Sequence, residues 1–104
     1  MSTETIEDVK INEKIKKDFK EPGRYKIIML NDDSTPMEWV IEILTTIFKY
    51  SDQTAMELTL QIHNEGSAVV GIYAYEIAEQ KAIETINASR ERGFPLNAKI
   101  EKDV

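Results

Sequence analysis

Asn31, Asp32 and Asp33 place an amide and two adjacent carboxylates in the stretch N-D-D-S-T-P-M-E-W, between the apolar runs Y-K-I-I-M-L and V-I-E-I-L. The chain's one histidine, His63, follows on the later segment A-M-E-L-T-L-Q-I-H-N. Asn and Asp are turn formers because their side chains bond nearby backbone amides, which explains the residue types but not two acids together. A lone histidine on a mostly apolar helix face is ordinarily a satisfied, partly buried residue. If the strand-to-helix junction faces that histidine, the cluster admits three chemistries. A metal site on Asp32, Asp33 and His63 is weakly supported, since adjacent acids on an extended segment point apart. A hydrolytic site lacks a nucleophile, because Ser34 and Thr35 are better read as helix caps. A receptor for a small cation needs only a carboxylate, an amide oxygen and an imidazole lone pair, and those are the groups present.

The elements that must position these groups are legible from periodicity. R-Y-K-I-I-M-L reads as a strand from Arg24, apolar on both faces at its end, as expected of a buried strand feeding a crossover. T-P-M-E then reads as a capping box, with Thr35 at the N-cap, Pro36 at the first helical position and Glu38 reaching back. Val40, Ile43, Leu44, Ile47 and Phe48 follow at helical spacing and predict one buried stripe. A turn at about Lys49–Asp52 leads to a second helix that starts near Ser51 and stops at Gly66. S-A-V-V-G-I-Y is a second strand, and Tyr75–Arg92 a third helix with Ala78, Ala82 and Ile86 on its buried side. Arg90 and Arg92 complement that helix's C-terminal dipole, and L-N-A-K-I-E is a last, alternating strand. The fold expected is α+β: a two-layer βααβαβ domain over residues 24–104, with a three-stranded antiparallel sheet packed against three helices.

Residues 1–23 carry acids and bases in nearly equal number, with isolated apolar residues, and close on Pro-Gly. They read as a flexible N-terminal arm, within which Ile11, Ile15 and Phe19 have the spacing of a weak amphipathic helix. The 104 residues suffice for one modest core. Absence of cysteine excludes disulfides, thiolate nucleophiles and Cys-ligated zinc. No apolar run approaches the ~20 residues of a membrane span, and M-S-T-E-T-I-E-D lacks the regions of a secretion signal, so a cytoplasmic protein is expected. Nineteen acids against thirteen bases give a net charge of −6, which disfavours nucleic acid and anionic membranes and favours a positively charged partner.

Together Y-K-I-I-M-L-N-D-D-x-T-P-M-E-x-V, the histidine followed by x-x-G, the segment G-I-Y-A-Y-E-I-A-E-Q-K and a late P-L resemble the ClpS adaptor family of the bacterial N-degron pathway, over about Arg24 to Lys102. The resemblance implies a non-enzymatic, cofactor-free adaptor, expected as a monomer. It would bind the free α-amine and the bulky first residue (Leu, Phe, Tyr or Trp) of a substrate. It would then pass the substrate to a ClpA- or ClpC-type AAA+ unfoldase that feeds ClpP. On this resemblance Asn31, Asp32 and His63 accept from the α-amine, Asp33 and Thr35 shape the loop or reach the peptide backbone, and Met37, Val40, Thr59, Ile62 and Leu96 wall the side-chain pocket. Glu76 and Lys81 match positions that dock the unfoldase. Thr59 stands where the family commonly has methionine at the pocket mouth, and its shorter side chain is expected at the rim; Asn64 and Glu65 also depart from the pattern. Two other readings differ in class: an interaction domain like that of the ribosomal stalk protein, which shares the element order but lacks N-D-D-x-T-P-M-E, and a small hydrolase using Asp32 and His63.

Overall fold

The alternation that ends in I-I-M-L builds β1 (Arg24–Leu30), whose inward residues Ile27 and Met29 are fully buried. β1 is the centre of a three-stranded antiparallel sheet, flanked by β2 (Ser67–Ala74) and β3 (Asn97–Lys102) in the order β2-β1-β3. These statements come from a computed structural model that describes residues 23–103. The expected arm lies, apart from Gly23, outside the described residues. The element order is the one expected, with α1 (Met37–Thr46) and α2 (Asp52–Glu65) between β1 and β2, and α3 (Tyr75–Glu91) between β2 and β3. The antiparallel three-stranded sheet and the α+β class are as expected. Among the described residues no helix is long and apolar enough to cross a membrane.

One face of the sheet carries the core: Ile27, Met29, Ala68, Val70 and Ala98 pack with Ile43, Leu44, Ala55, Ile62, Ala78 and Leu96 from the helices and the last loop. β1 therefore differs from the two-sided burial expected of it, because Lys26, Ile28 and Leu30 on its other face are only partly covered. Antiparallel pairing on both sides leaves no crossover helix to cover that face. The register skips one residue, passing from Ile27↔Gly71 to Ile28↔Val69, so Val70 is the extra residue of a bulge. Its carbonyl accepts a hydrogen bond from the Tyr50 hydroxyl at 2.7 Å.

Three local expectations change. The capping box does not form: Pro36 holds the N-cap position without a side-chain cap bond, because the Thr35 hydroxyl donates to Asp32 instead. The buried stripe of α3 runs through Ala78, Ala82, Thr85 and Ser89, with Ile86 only partly buried. Ser89 is accommodated in the core because its hydroxyl accepts from Trp39 Nε1 at 2.8 Å and donates to the Thr85 carbonyl at 2.7 Å. Finally α1 ends before Ile47 and Phe48, where Lys49, in the left-handed region at φ 63, turns the chain into α2. At its expected start α2 is capped by Ser51, whose hydroxyl accepts from the Thr54 amide.

Candidate functional site

The end of β1 and the end of α2 meet because the Asn31 amide donates to the Gly66 carbonyl at 3.0 Å. Gly66 closes α2 in the left-handed region at φ 92, a conformation suited to glycine, and its amide donates to the Ile62 carbonyl. His63, on the last turn before this cap, is thereby brought beside Asn31 and the loop that follows it. The result is a concavity of about 170 Å³ lined by Leu30, Asn31, Asp32, Asp33, Thr35, Met37, Val40, Thr59, Ile62, His63 and Leu96. All ten residues singled out for the pocket and its loop line this one cavity, and Leu30 joins them. Leu30, expected only as part of the strand, reaches the cavity edge as the last residue before Asn31.

Within the loop the two carboxylates have different tasks. Asp32 Oδ1 accepts from the backbone amides of Ser34 and Thr35, both at 2.8 Å, and Oδ2 accepts from the Thr35 hydroxyl at 2.7 Å. This is an Asx-type turn in which one side chain holds three donors and fixes the path into α1. Asp33 and Asn31 are exposed. Asp33 makes no hydrogen bond among the described residues, so its carboxylate charge is uncommitted at the cavity edge. His63 is likewise exposed. Below these acceptors the wall is apolar, with Val40, Ile62 and Leu96 buried and Met37 37% exposed at the opening.

Thr59 is not at the rim. It is 2% exposed, and its hydroxyl donates to the Ala55 carbonyl at 2.7 Å, one turn back on α2. With the hydroxyl committed to the helix backbone, the group Thr59 can offer to the cavity is its methyl. Leu96 is held from behind by Arg90, whose guanidinium donates to the Phe94 carbonyl at 3.0 Å and to the Leu96 carbonyl at 2.8 Å. Arg90, expected as a helix-dipole partner, serves the pocket through a chain reversal at Gly93 that no spacing rule specifies. Among the described residues no cluster of His, Asp or Glu is arranged to hold a metal ion.

Glu76 and Lys81 lie away from this cavity, on α3. Glu76 is exposed in the first turn. Lys81 is less free than a solvated helix lysine: its ammonium donates to the Ile47 carbonyl at 2.8 Å and lies 5.8 Å from the Phe48 ring centre and 5.4 Å from that of Tyr73. Burial first, and neighbouring Tyr50 second, hold the Tyr73 phenol above its ordinary value. Lys81 forms one wall of a groove with Thr46, Ile47, Lys49, Ile77 and Glu84.

A family model described as "ATP-dependent Clp protease adaptor protein ClpS" matches residues 20–99. The chain is 43% identical over 88 residues to the ATP-dependent Clp protease adapter protein ClpS of Treponema denticola, covering 85% of this chain and 87% of that one. It is 42% identical over 103 residues to the protein of that name from Campylobacter jejuni subsp. doylei, covering 99% of each. Among solved structures it is similar to Agrobacterium tumefaciens ClpS2 bound to L-phenylalaninamide, with a TM-score of 0.78 and 40% identity, over 80% of this chain and 100% of the other. Matches of this extent cover the sheet, the three helices and both halves of the pocket, and they establish that the chain belongs to the ClpS family of Clp protease adaptor proteins.

Proposed function

We propose that this chain is a non-enzymatic adaptor that reads the free α-amino group and the bulky hydrophobic first residue of N-degron substrates. The observation that carries the reading is the cavity itself, in which uncommitted acceptors ring the mouth above a buried apolar wall. An α-amine has a pKa of about 7.7–8.0, so at neutral pH it is mostly an ammonium with three donors. Asn31, Asp32 and His63 offer an amide oxygen, a carboxylate and an imidazole nitrogen to those donors; a carboxylate has about four acceptor sites, so Asp32, with three bonds accepted inside the loop, keeps one for the amine. Asp32 supplies the direct counter-charge, and exposed Asp33, with Thr35, shapes the loop or reaches the peptide backbone. Met37, Val40, Thr59, Ile62 and Leu96 receive the side chain, and burying Leu or Phe there contributes about 1.5–3 kcal/mol. L-phenylalaninamide, the ligand of the similar Agrobacterium protein, carries both features, an α-amine and an apolar side chain.

Delivery follows from the same reading. Exposed Glu76 and the groove beside Lys81 form a surface for a ClpA- or ClpC-type unfoldase, separate from the degron pocket, and the ClpP protease acts after it. The test is a titration with fluorescent peptides that differ only at the first residue. Leu-, Phe-, Tyr- and Trp-initiated peptides should bind, and acetylating the α-amine should weaken binding by at least about 1–3 kcal/mol, roughly tenfold to a hundredfold. Equal affinity for free and acetylated peptides would overturn the assignment.

A further inference from the structure

The face of the sheet turned away from the helices has no partner among the described residues. Its register places Ile28 beside Val69 on one row and Lys26 beside Ile72 on the next, and Val69 and Ile72 are 42% and 39% exposed. Arg24 and Lys26 add positive charge to this patch. Lys99, on the opposite edge, is paired with Glu101 at 3.2 Å. In a chain of net charge −6 this is a basic, half-apolar surface. A two-layer fold with one bare, partly apolar sheet face presents a surface suited to an amphipathic segment of complementary charge.

We propose that the occupant is the chain's own N-terminal arm, through residues 8–19. Three observations select it. The 22 residues ahead of Gly23 join the fold at Arg24, the first residue of the central strand of this face, so the arm starts where the surface starts. Within the arm Asp8, Ile11, Ile15, Asp18 and Phe19 fall at i, i+3, i+7, i+10 and i+11, which gathers three apolar side chains and two acids on one helical side. That stripe is the complement, in polarity and in charge, of Ile28, Val69 and Ile72 with Arg24 and Lys26. The link of Lys20–Gly23 spans about 13 Å when extended, enough to reverse at Pro22–Gly23 and lay the stripe back over the strand. The docking is reversible, because the contact is small and rimmed by solvated charges. It leaves the cavity at the opposite end of β1 open, so a degron can bind while the arm is parked.

The chain has no cysteine, so Lys17→Cys gives a single attachment point for a spin label in the full-length protein, on the side of the arm opposite its apolar stripe. The expected result is loss of amide NMR signal at Lys26, Ile28, Val69 and Ile72, with signals of Asp52, Gln53 and Met56 retained. The double change Ile15→Asp with Phe19→Asp should restore the lost signals without moving those of Ile27 or Met29. Signal loss spread evenly over the surface, or centred on another face, would overturn the proposal. So would loss seen only on isotope-labelled protein mixed with a separate spin-labelled copy, since the occupant would then be a second chain.

Discussion

The two ends of α1 are built from similar materials and left in opposite states. At its C-terminal end a cation, two phenols and a phenyl ring close on one another: Lys81 is bonded to the Ile47 carbonyl over Phe48 and Tyr73, and Tyr50 is bonded to the bulge at Val70. At its N-terminal end Asp32 alone is committed to the fold, while Asn31, Asp33 and His63 stand exposed around an apolar cavity. Charge beside apolar surface is common to both ends. What separates a structural cluster from a recognition site is the hydrogen-bonding capacity still uncommitted once the chain has folded.

The contrast is broken most directly at the open end. His63→Ala should weaken a Leu-initiated peptide by about 1.5–3 kcal/mol, as expected for a hydrogen bond to a charged group, with thermal unfolding close to unchanged, and Asp33→Ala should weaken it less. Asp32→Ala should weaken binding and also lower stability, because three loop donors lose their acceptor. Calorimetric titration beside a melting curve checks this, and an Asp33→Ala variant that lost more affinity than Asp32→Ala would show that the two acids had been assigned the wrong way round.

The closed end should respond in the opposite sense. Lys81→Met keeps the stem but removes the bond to Ile47 and the cation over the rings, and is expected to lower stability by about 1–3 kcal/mol while peptide affinity stays constant. Denaturant unfolding measures the first and peptide titration the second. A loss of degron affinity in this variant would mean that the two ends of α1 are coupled.

The smallest expected effect sharpens the open end from within. Thr59→Met fills space next to Ile62 and should raise discrimination of Leu over Ile as first residue, by up to about 1–3 kcal/mol in the ratio of their dissociation constants. Because Thr59 is buried and its hydroxyl is bonded to Ala55, the longer Met side chain fits only by entering the cavity; a small change in melting temperature is expected, and a large drop would show that it overpacks the core instead. An unchanged Leu-to-Ile ratio would remove Thr59 from the specificity determinants.

Much of this was readable before any coordinates. Asn31–Thr35 follow the end of β1 and His63 sits on the last turn of α2 before its Gly66 stop, so the pocket assembles where the C-terminal ends of those two elements meet. The errors have a common physical source. T-P-M-E satisfies the pattern of a capping box, but Asp32 competes for the same hydroxyl, and only geometry decides between two acceptors. Ile86 falls in the expected stripe because periodicity counts apolar side chains, and the partner that Trp39 gives Ser89 is invisible to it. Helical spacing gives the side of α2 on which Thr59 lies but not its depth, since depth depends on how closely α2 packs. The bare face of β1 was hidden for a similar reason: I-I-M-L is equally apolar whether or not a helix covers it.

Trp39 is the chain's one tryptophan, 7% exposed, with its indole N–H bonded to Ser89, the Arg92 guanidinium 4.6 Å from its ring centre and Phe94 tilted against it at 5.8 Å. It precedes Val40 of the cavity wall, and Phe94 belongs to the loop whose Leu96 completes that wall. The fluorescence of the protein is therefore that of a single, dry indole poised between a cation and a phenyl ring, in direct chain contact with both sides of the pocket. The molecule carries its own optical gauge: its emission will redden when the core opens, and a change in intensity without a change in colour will mark movement of Arg92 or Phe94 as the pocket fills.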